Sequence, residues 1–214
     1  MDYRESSWNA GYAGTDKRSE LPLCCMLLIG VNAVVFLLGI LLPGCSGWLR
    51  EQGQFSVVYL LYDREFYRLV TSMFLHMDAE HLLNNMLLLY FCGDYVEKTL
   101  GKGRFLVLYF ATGVCGNLLS AAYELSTGSF YDSVGASGAV FGLTGALLFL
   151  VIAGKGAAAQ ISMKRMLLSV ALSLYAGFNS RSVNNAAHIG GLLSGFLLAF
   201  LLTVIPPISM RKGE

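Results

Sequence analysis

The sequence predicts an all-α polytopic membrane protein with six membrane-spanning helices. Three observations carry this. Only 14% of the 214 residues are charged and 55% are hydrophobic, against roughly a quarter charged in soluble domains. The apolar residues stand in runs of the length that a bilayer demands, roughly 18 or more, rather than at an amphipathic period. Cationic residues gather on alternate connections between those runs, as expected when positive loops stay on the cytoplasmic side.

In chain order, residues 1–20 are polar, charged and rich in Gly and Ser. They are expected to be a disordered cytoplasmic segment. The first run, Leu21 to Leu42, is longer than the core of a signal peptide, and no small-residue cleavage site follows. It reads as an uncleaved first span. From Pro43 to Glu80 the chain is too long for a simple connection and contains "FSVVYLLYDREFYRLVTSMFL". That amphipathic stretch is expected to form short helices against the outer leaflet. Five further runs follow at 82–99, 104–124, 137–153, 165–179 and 186–206, joined by short connections. One membrane domain over 21–207 and a short cytoplasmic tail, 208–214, account for the rest.

With the N-terminus in the cytoplasm, the inner segments hold eleven of the 15 Lys and Arg residues and the outer ones only Arg50, Arg64, Arg68 and Arg181. Both termini are therefore expected inside a cell membrane. The net charge of +1, without dense basic clusters, points away from nucleic acid. Cys24, Cys25, Cys92 and Cys115 fall within apolar runs and Cys45 in a loop. This dispersed, odd set suits neither a disulfide framework nor a zinc site. The three histidines lack the carboxylates that usually complete a metal centre, so no metal and no cofactor are expected.

Polar side chains inside a membrane are costly and mark function by default. Here they cluster. His76 precedes the second span, and His81 opens it with Asn84 and Asn85 behind. Ser137 opens the fourth span. His188 lies near the start of the sixth, after Asn184 and Asn185. In the expected topology these three spans run in the same direction, so all these groups lie at similar depth near the outer side. A serine hydroxyl becomes a nucleophile when a base takes its proton, and histidine is the usual base. The amide of Asn85, the imidazole of His81 and the backbone N–H of Ser137 are suitable donors for an oxyanion. His81 and Asn85 are four apart and share a helix face. Gly138 and Gly142 on the fourth span match Gly191 and Gly195 on the sixth, a spacing that lets helices approach closely.

Each residue also has a plainer reading. Ser137 could be a small packing residue, His188 a structural hydrogen bond or proton relay, and His81 with Asn85 a polar tie to the outer loop. A transporter is a third class, although the spans lack a deep acidic residue, with Glu124 near an end as the exception.

The motifs "GASGAVFG", "AHIGGLLSG" and "FLHMDAEHLLNNM" together resemble the rhomboid intramembrane serine proteases, over about residues 60 to 200. The resemblance implies a six-helix rhomboid-like bundle of the basic, mostly bacterial form. It implies Ser137 as nucleophile and His188 as general base, without a third acidic member. His81 and Asn85 match the oxyanion-stabilising pair, with His76 as the first histidine of that motif and Gly135 linked to the same hole. Arg68 and Glu97 resemble structural positions. Phe141 stands where many members place a tyrosine stacked on the catalytic histidine, and Tyr67 where many have tryptophan. Expected partners are single-span transmembrane substrates, entering past the fifth span and the loop "GFNSRSVNN", and the lipid bilayer. A catalytically inactive relative that binds transmembrane clients is the alternative; such relatives would be expected to have lost the serine or the histidine.

Overall fold

The computed structural model describes residues 21–178 and 183–205. Among these residues the regular structure is helical, and Phe55 and Ser133 form an isolated β-bridge. The expected all-α architecture is observed. The segments expected at 1–20 and 208–214 lie outside the described residues.

Helix α1 spans Leu23–Leu41 and is apolar throughout. Much of its surface is exposed, including Leu27, Val34 and Leu37, which suits a helix facing lipid. Its first-turn amides have no partners within the helix, as at any helix start. Glu97 supplies them from elsewhere: its two carboxylate oxygens accept from Cys24 N at 3.1 Å and Cys25 N at 2.8 Å.

The long connection after α1 folds as expected into short helices: α2 (Cys45–Gly53), α3 (Val57–Leu61), α4 (Arg68–Thr71) and a 3-10 turn at Ser72–Phe74. Cys45, expected in a loop, instead begins α2, because Gly44 adopts a left-handed turn that starts the helix there. Arg68 organises this layer. Its buried guanidinium donates to the carbonyls of Glu51 (2.8 Å) and Gln54 (3.1 Å), pairs with Glu65, and lies 4.0 Å over the ring of Tyr59. A planar, multiply donating cation suits that position better than a lysine would.

Helix α5 (Ala79–Leu100) starts at Asp78, whose side chain accepts from His81 N at 2.8 Å. Gly101, at φ 85°, turns the chain straight into α6 (Lys102–Thr127). After a loop come α7 (Ser137–Ile152), a 3-10 turn at Gly156–Gln160, α8 (Met163–Phe178) and α9 (Asn185–Val204). The six expected runs thus coincide with α1 and α5 to α9. By length and composition α1, α6 and α9 can each cross a membrane.

Helix α7 has 16 residues, about 24 Å at 1.5 Å per residue, less than the roughly 30 Å of a hydrocarbon core. It is apolar on all sides for a different reason from α1. Eleven of its 16 residues are buried, and α5, α6 and α9 surround it. Glycines permit this. A Cβ on Gly191 would collide with the Gly138 carbonyl, one on Gly195 with the Gly142 carbonyl, and one on Gly145 with the Leu192 carbonyl. Backbones touch where small residues face each other. Helix α8 packs against α7 and α9 and leaves Leu167, Leu168, Leu172 and Tyr175 exposed.

The chain directions are consistent. Glu97, near the C-terminal end of α5, holds the start of α1. Arg104, at the start of α6, donates to the Ile205 carbonyl at the end of α9, at 2.5 Å. The N-terminal ends of α5, α7 and α9 therefore gather at one end of the bundle.

Candidate active site

Ser137 is the first residue of α7. The loop before it is irregular, and irregular backbone at membrane depth is tolerated only when protein or water satisfies it. Here the layer of short helices satisfies it. Phe55 and Ser133 exchange both backbone hydrogen bonds, at 2.9 and 2.8 Å, and Gly135 N donates to the Ser72 carbonyl at 2.9 Å.

Gly135 is held at φ 130°, a conformation side-chain-bearing residues rarely adopt. A Cβ there would also stand 2.9 Å from His81 Nε2 and Cε1 and 3.7 Å from Ser137 Oγ. The absent side chain is what lets the His81 ring and the Ser137 hydroxyl approach one place. Its N–H is already committed to Ser72, so what Gly135 offers at this place is room rather than a donor.

His188 lies in the first turn of α9, buried, with its ring stacked on Phe141 at 4.2 Å between centroids and 11° between planes. Phe141 is one helical turn after Ser137, on the same face of α7. The stack therefore lays His188 along the face that Ser137 occupies. No hydrogen bond joins Ser137 Oγ to His188 in this conformation, and among the described residues His188 Nδ1 has no partner. Catalytic hydrogen bonds are often long before substrate binds and tighten afterwards.

Asn85 is buried one turn beyond His81 on α5. His76 is buried beside His81, ring edge to ring, with centroids 5.0 Å apart. Burial, with His81 adjacent, pushes His76 down to about 4. Arg68 and Glu97 stand apart from this group, one bracing the layer of short helices and the other at the far end of α5. Gly138, Gly142, Gly191 and Gly195 form the α7–α9 contact described above.

Next to Ser137 is a small cavity of about 20 Å³ whose lining includes Ser72, Asn117, Ser133, Gly138 and Asn184. That is room for one water among polar groups. Asn117 Nδ2 donates to the Leu69 carbonyl at 2.9 Å and to Ser72 Oγ at 3.1 Å. Sequence reasoning missed Ser72 here, and also Ser120, whose hydroxyl accepts from Asn184 Nδ2 at 2.7 Å. No local pattern marks them, since their partners lie on other elements. Asn184 had a usable signal, an asparagine immediately before an apolar helical run, which is an N-cap signature.

A family model described as the Rhomboid domain matches residues 63–204, a stretch that holds every residue of this site. Among curated relatives, the chain is similar to Rhomboid protease GluP of Bacillus subtilis (strain 168), 36% identical over 143 residues, covering 67% of this chain and 27% of that protein. YdcA, a second rhomboid-named protein of the same organism, is 37% identical over 137 residues, covering 64% of this chain and 67% of its own. RHOMBOID-like protein 1 of Arabidopsis thaliana is 37% identical over 172 residues, covering 78% of this chain and 42% of its own. The match thus takes in about a quarter of GluP and two thirds of YdcA.

Proposed function

The chain belongs to the rhomboid family, and on that premise we propose that it is an intramembrane serine endopeptidase that cleaves single-span transmembrane substrates near the outer side of the membrane. The observation that supports this most is a convergence. His81 Nε2 and Ser137 Oγ both lie within 4 Å of the place where a Gly135 side chain would stand, and His188 is stacked on Phe141 one turn along from Ser137.

In this reading a substrate helix enters beside α8 and the connection to α9, of which 179–182 lie outside the described residues. It unwinds to expose a peptide bond, since in lipid its backbone is otherwise satisfied internally. Ser137 Oγ attacks the carbonyl carbon as His188 takes the hydroxyl proton. The oxyanion is met by His81, Asn85 and the free N–H at the start of α7, donors placed in advance of the charge they stabilise. Collapse breaks the C–N bond, and His188 returns its proton to the leaving amine. A water from the polar cavity then adds to the acyl-enzyme, with His188 as base again, and releases the carboxyl product. No cofactor or metal takes part. The proposed topology has six spans, α1 and α5 to α9, in the cell membrane with both termini in the cytoplasm.

Reconstituting the purified chain with a panel of single-span substrates tests the proposal. Wild type should cleave, Ser137→Ala should be inactive, and His188→Ala should lose at least about a thousandfold in kcat/KM. A fluorophosphonate should label Ser137 in wild type. If wild type neither labels nor cuts better than Ser137→Ala, the client-binding alternative replaces the protease.

A further inference from the structure

A nucleophile and a base on different helices need something to set the distance between those helices, and one side chain touches both supports. Asn184 caps α9: its Oδ1 accepts from Ala187 N at 3.0 Å, and its backbone carbonyl accepts from His188 N at 3.2 Å. Its Nδ2 donates to Ser133 Oγ and to Ser120 Oγ, both at 2.7 Å. Ser133 lies on the loop that delivers Ser137. Ser120 lies on α6 and gives its own proton to the buried Glu124 carboxylate at 2.9 Å. That commitment leaves Ser120 a lone pair for Asn184 and fixes which way the amide faces. The Tyr131 hydroxyl donates to Oδ1 at 3.4 Å, so the carboxamide has a partner at every site.

We infer that Asn184 is a positioning residue for this reaction, a clamp that holds the start of the His188 helix against the loop carrying Ser137. The inference rests on the dyad proposed above. Helix capping alone does not call for asparagine, because aspartate caps equally well. What does call for it is accepting from α9 while donating to two other elements. An aspartate would keep the cap and nearly the same shape but carry no donor. Ser133 could turn its proton toward that aspartate, but Ser120 could do so only by releasing Glu124. The change would also bring a second carboxylate within one hydroxyl of the first.

The test reads the rate at which a fluorophosphonate labels Ser137 in the full-length protein in lipid, with no substrate needed. Asn184→Asp and Asn184→Ala should lower the labelling rate at saturating probe about 10- to 100-fold, as misplacement of a reacting group by around 1 Å does. Half-saturation should change little, while Asn184→Ala, which also removes the cap, should lower the unfolding midpoint. Ser133→Ala should slow labelling too, and adding it to Asn184→Ala should slow it no further, since both remove the same tie. A wild-type labelling rate in Asn184→Asp would reduce Asn184 to a cap and overturn the inference while leaving the protease reading intact. If the Asn184 variants do not fold, Ser133→Ala decides alone: it leaves the cap untouched, and a wild-type rate from it overturns the clamp. Wild type that neither labels nor cleaves removes the dyad, and the clamp with it.

Discussion

His188 owes its placement to its neighbours. Its ring lies flat on Phe141, which restricts rotation and keeps the imidazole on the Ser137 face of α7. Phe141 has no hydroxyl, so it acts through its ring face alone. On the other side of the site, His76 is buried against His81, and burial pushes it from 6.5 down to about 4. The sign follows from linkage. A histidine that resists protonation in the folded state contributes stability that is fully present above its unfolded value near 6.5. That stability is lost as pH falls through about 4, because the unfolded chain binds the proton more readily. Wild type in detergent should therefore lose about 1–3 kcal/mol of stability between pH 7 and pH 4.5 from this group. His76→Gln should show a shallower drop in thermal midpoint over the same range, and parallel curves would assign the sensitivity to another group. Ser137, His188 and His81 were legible because polar residues stand out in apolar runs. The steric demand at Gly135 was not, because it arises from a ring on α5 that is remote in sequence.

Among the elements, α1 shows how a helix with little specific packing is still held in register. Its outer face offers only apolar contacts, so its directional ties lie on the inner side: the Glu97 carboxylate across its first two free amides and the Cys25 thiol on the Leu89 carbonyl at 3.4 Å. A carboxylate at a helix N-terminus also meets the positive end of the helix dipole. Glu97→Gln keeps one acceptor but turns an NH₂ toward the second amide and removes the charge. It should cost about 1–3 kcal/mol, read as a lower thermal midpoint and faster hydrogen exchange at the Cys24 and Cys25 amides. Unchanged exchange there would show that the Glu97 carboxylate does not hold the start of α1. Helix limits were legible to within a few residues wherever a run of apolar side chains met a turn. The start of α2 at Cys45 was not, because the left-handed turn at Gly44 that sets it carries no hydrophobic signal.

At the scale of the molecule, the N-terminal ends of α5, α7 and α9 share one end of the bundle, and the 16-residue α7 is shorter than a hydrocarbon core is thick. In the proposed topology this sets the reacting groups below the outer surface, beneath a layer braced by Arg68. The sidedness can be measured. In a background without native cysteines, Glu51→Cys should react with a membrane-impermeant maleimide on intact cells, and Lys164→Cys only after permeabilisation. Both positions are exposed, so labelling reports the side of the membrane. Labelling of position 164 first would invert the orientation and place the site at the inner face.

By itself the sequence determined the class of protein, the six helical segments and the family, because apolar run length, cationic bias and three short motifs are local properties of the chain. It also picked out the serine and the histidines, because charged or polar groups among apolar ones are conspicuous wherever the chain goes. Only the tertiary structure decided which of two equally apolar helices is central, since lipid and protein ask for the same side chains. It alone showed that Gly135 makes room for His81 and that Asn184 joins α9, α6 and the Ser133 loop. Those facts depend on distances between residues far apart in sequence, and such distances exist only once the helices have packed.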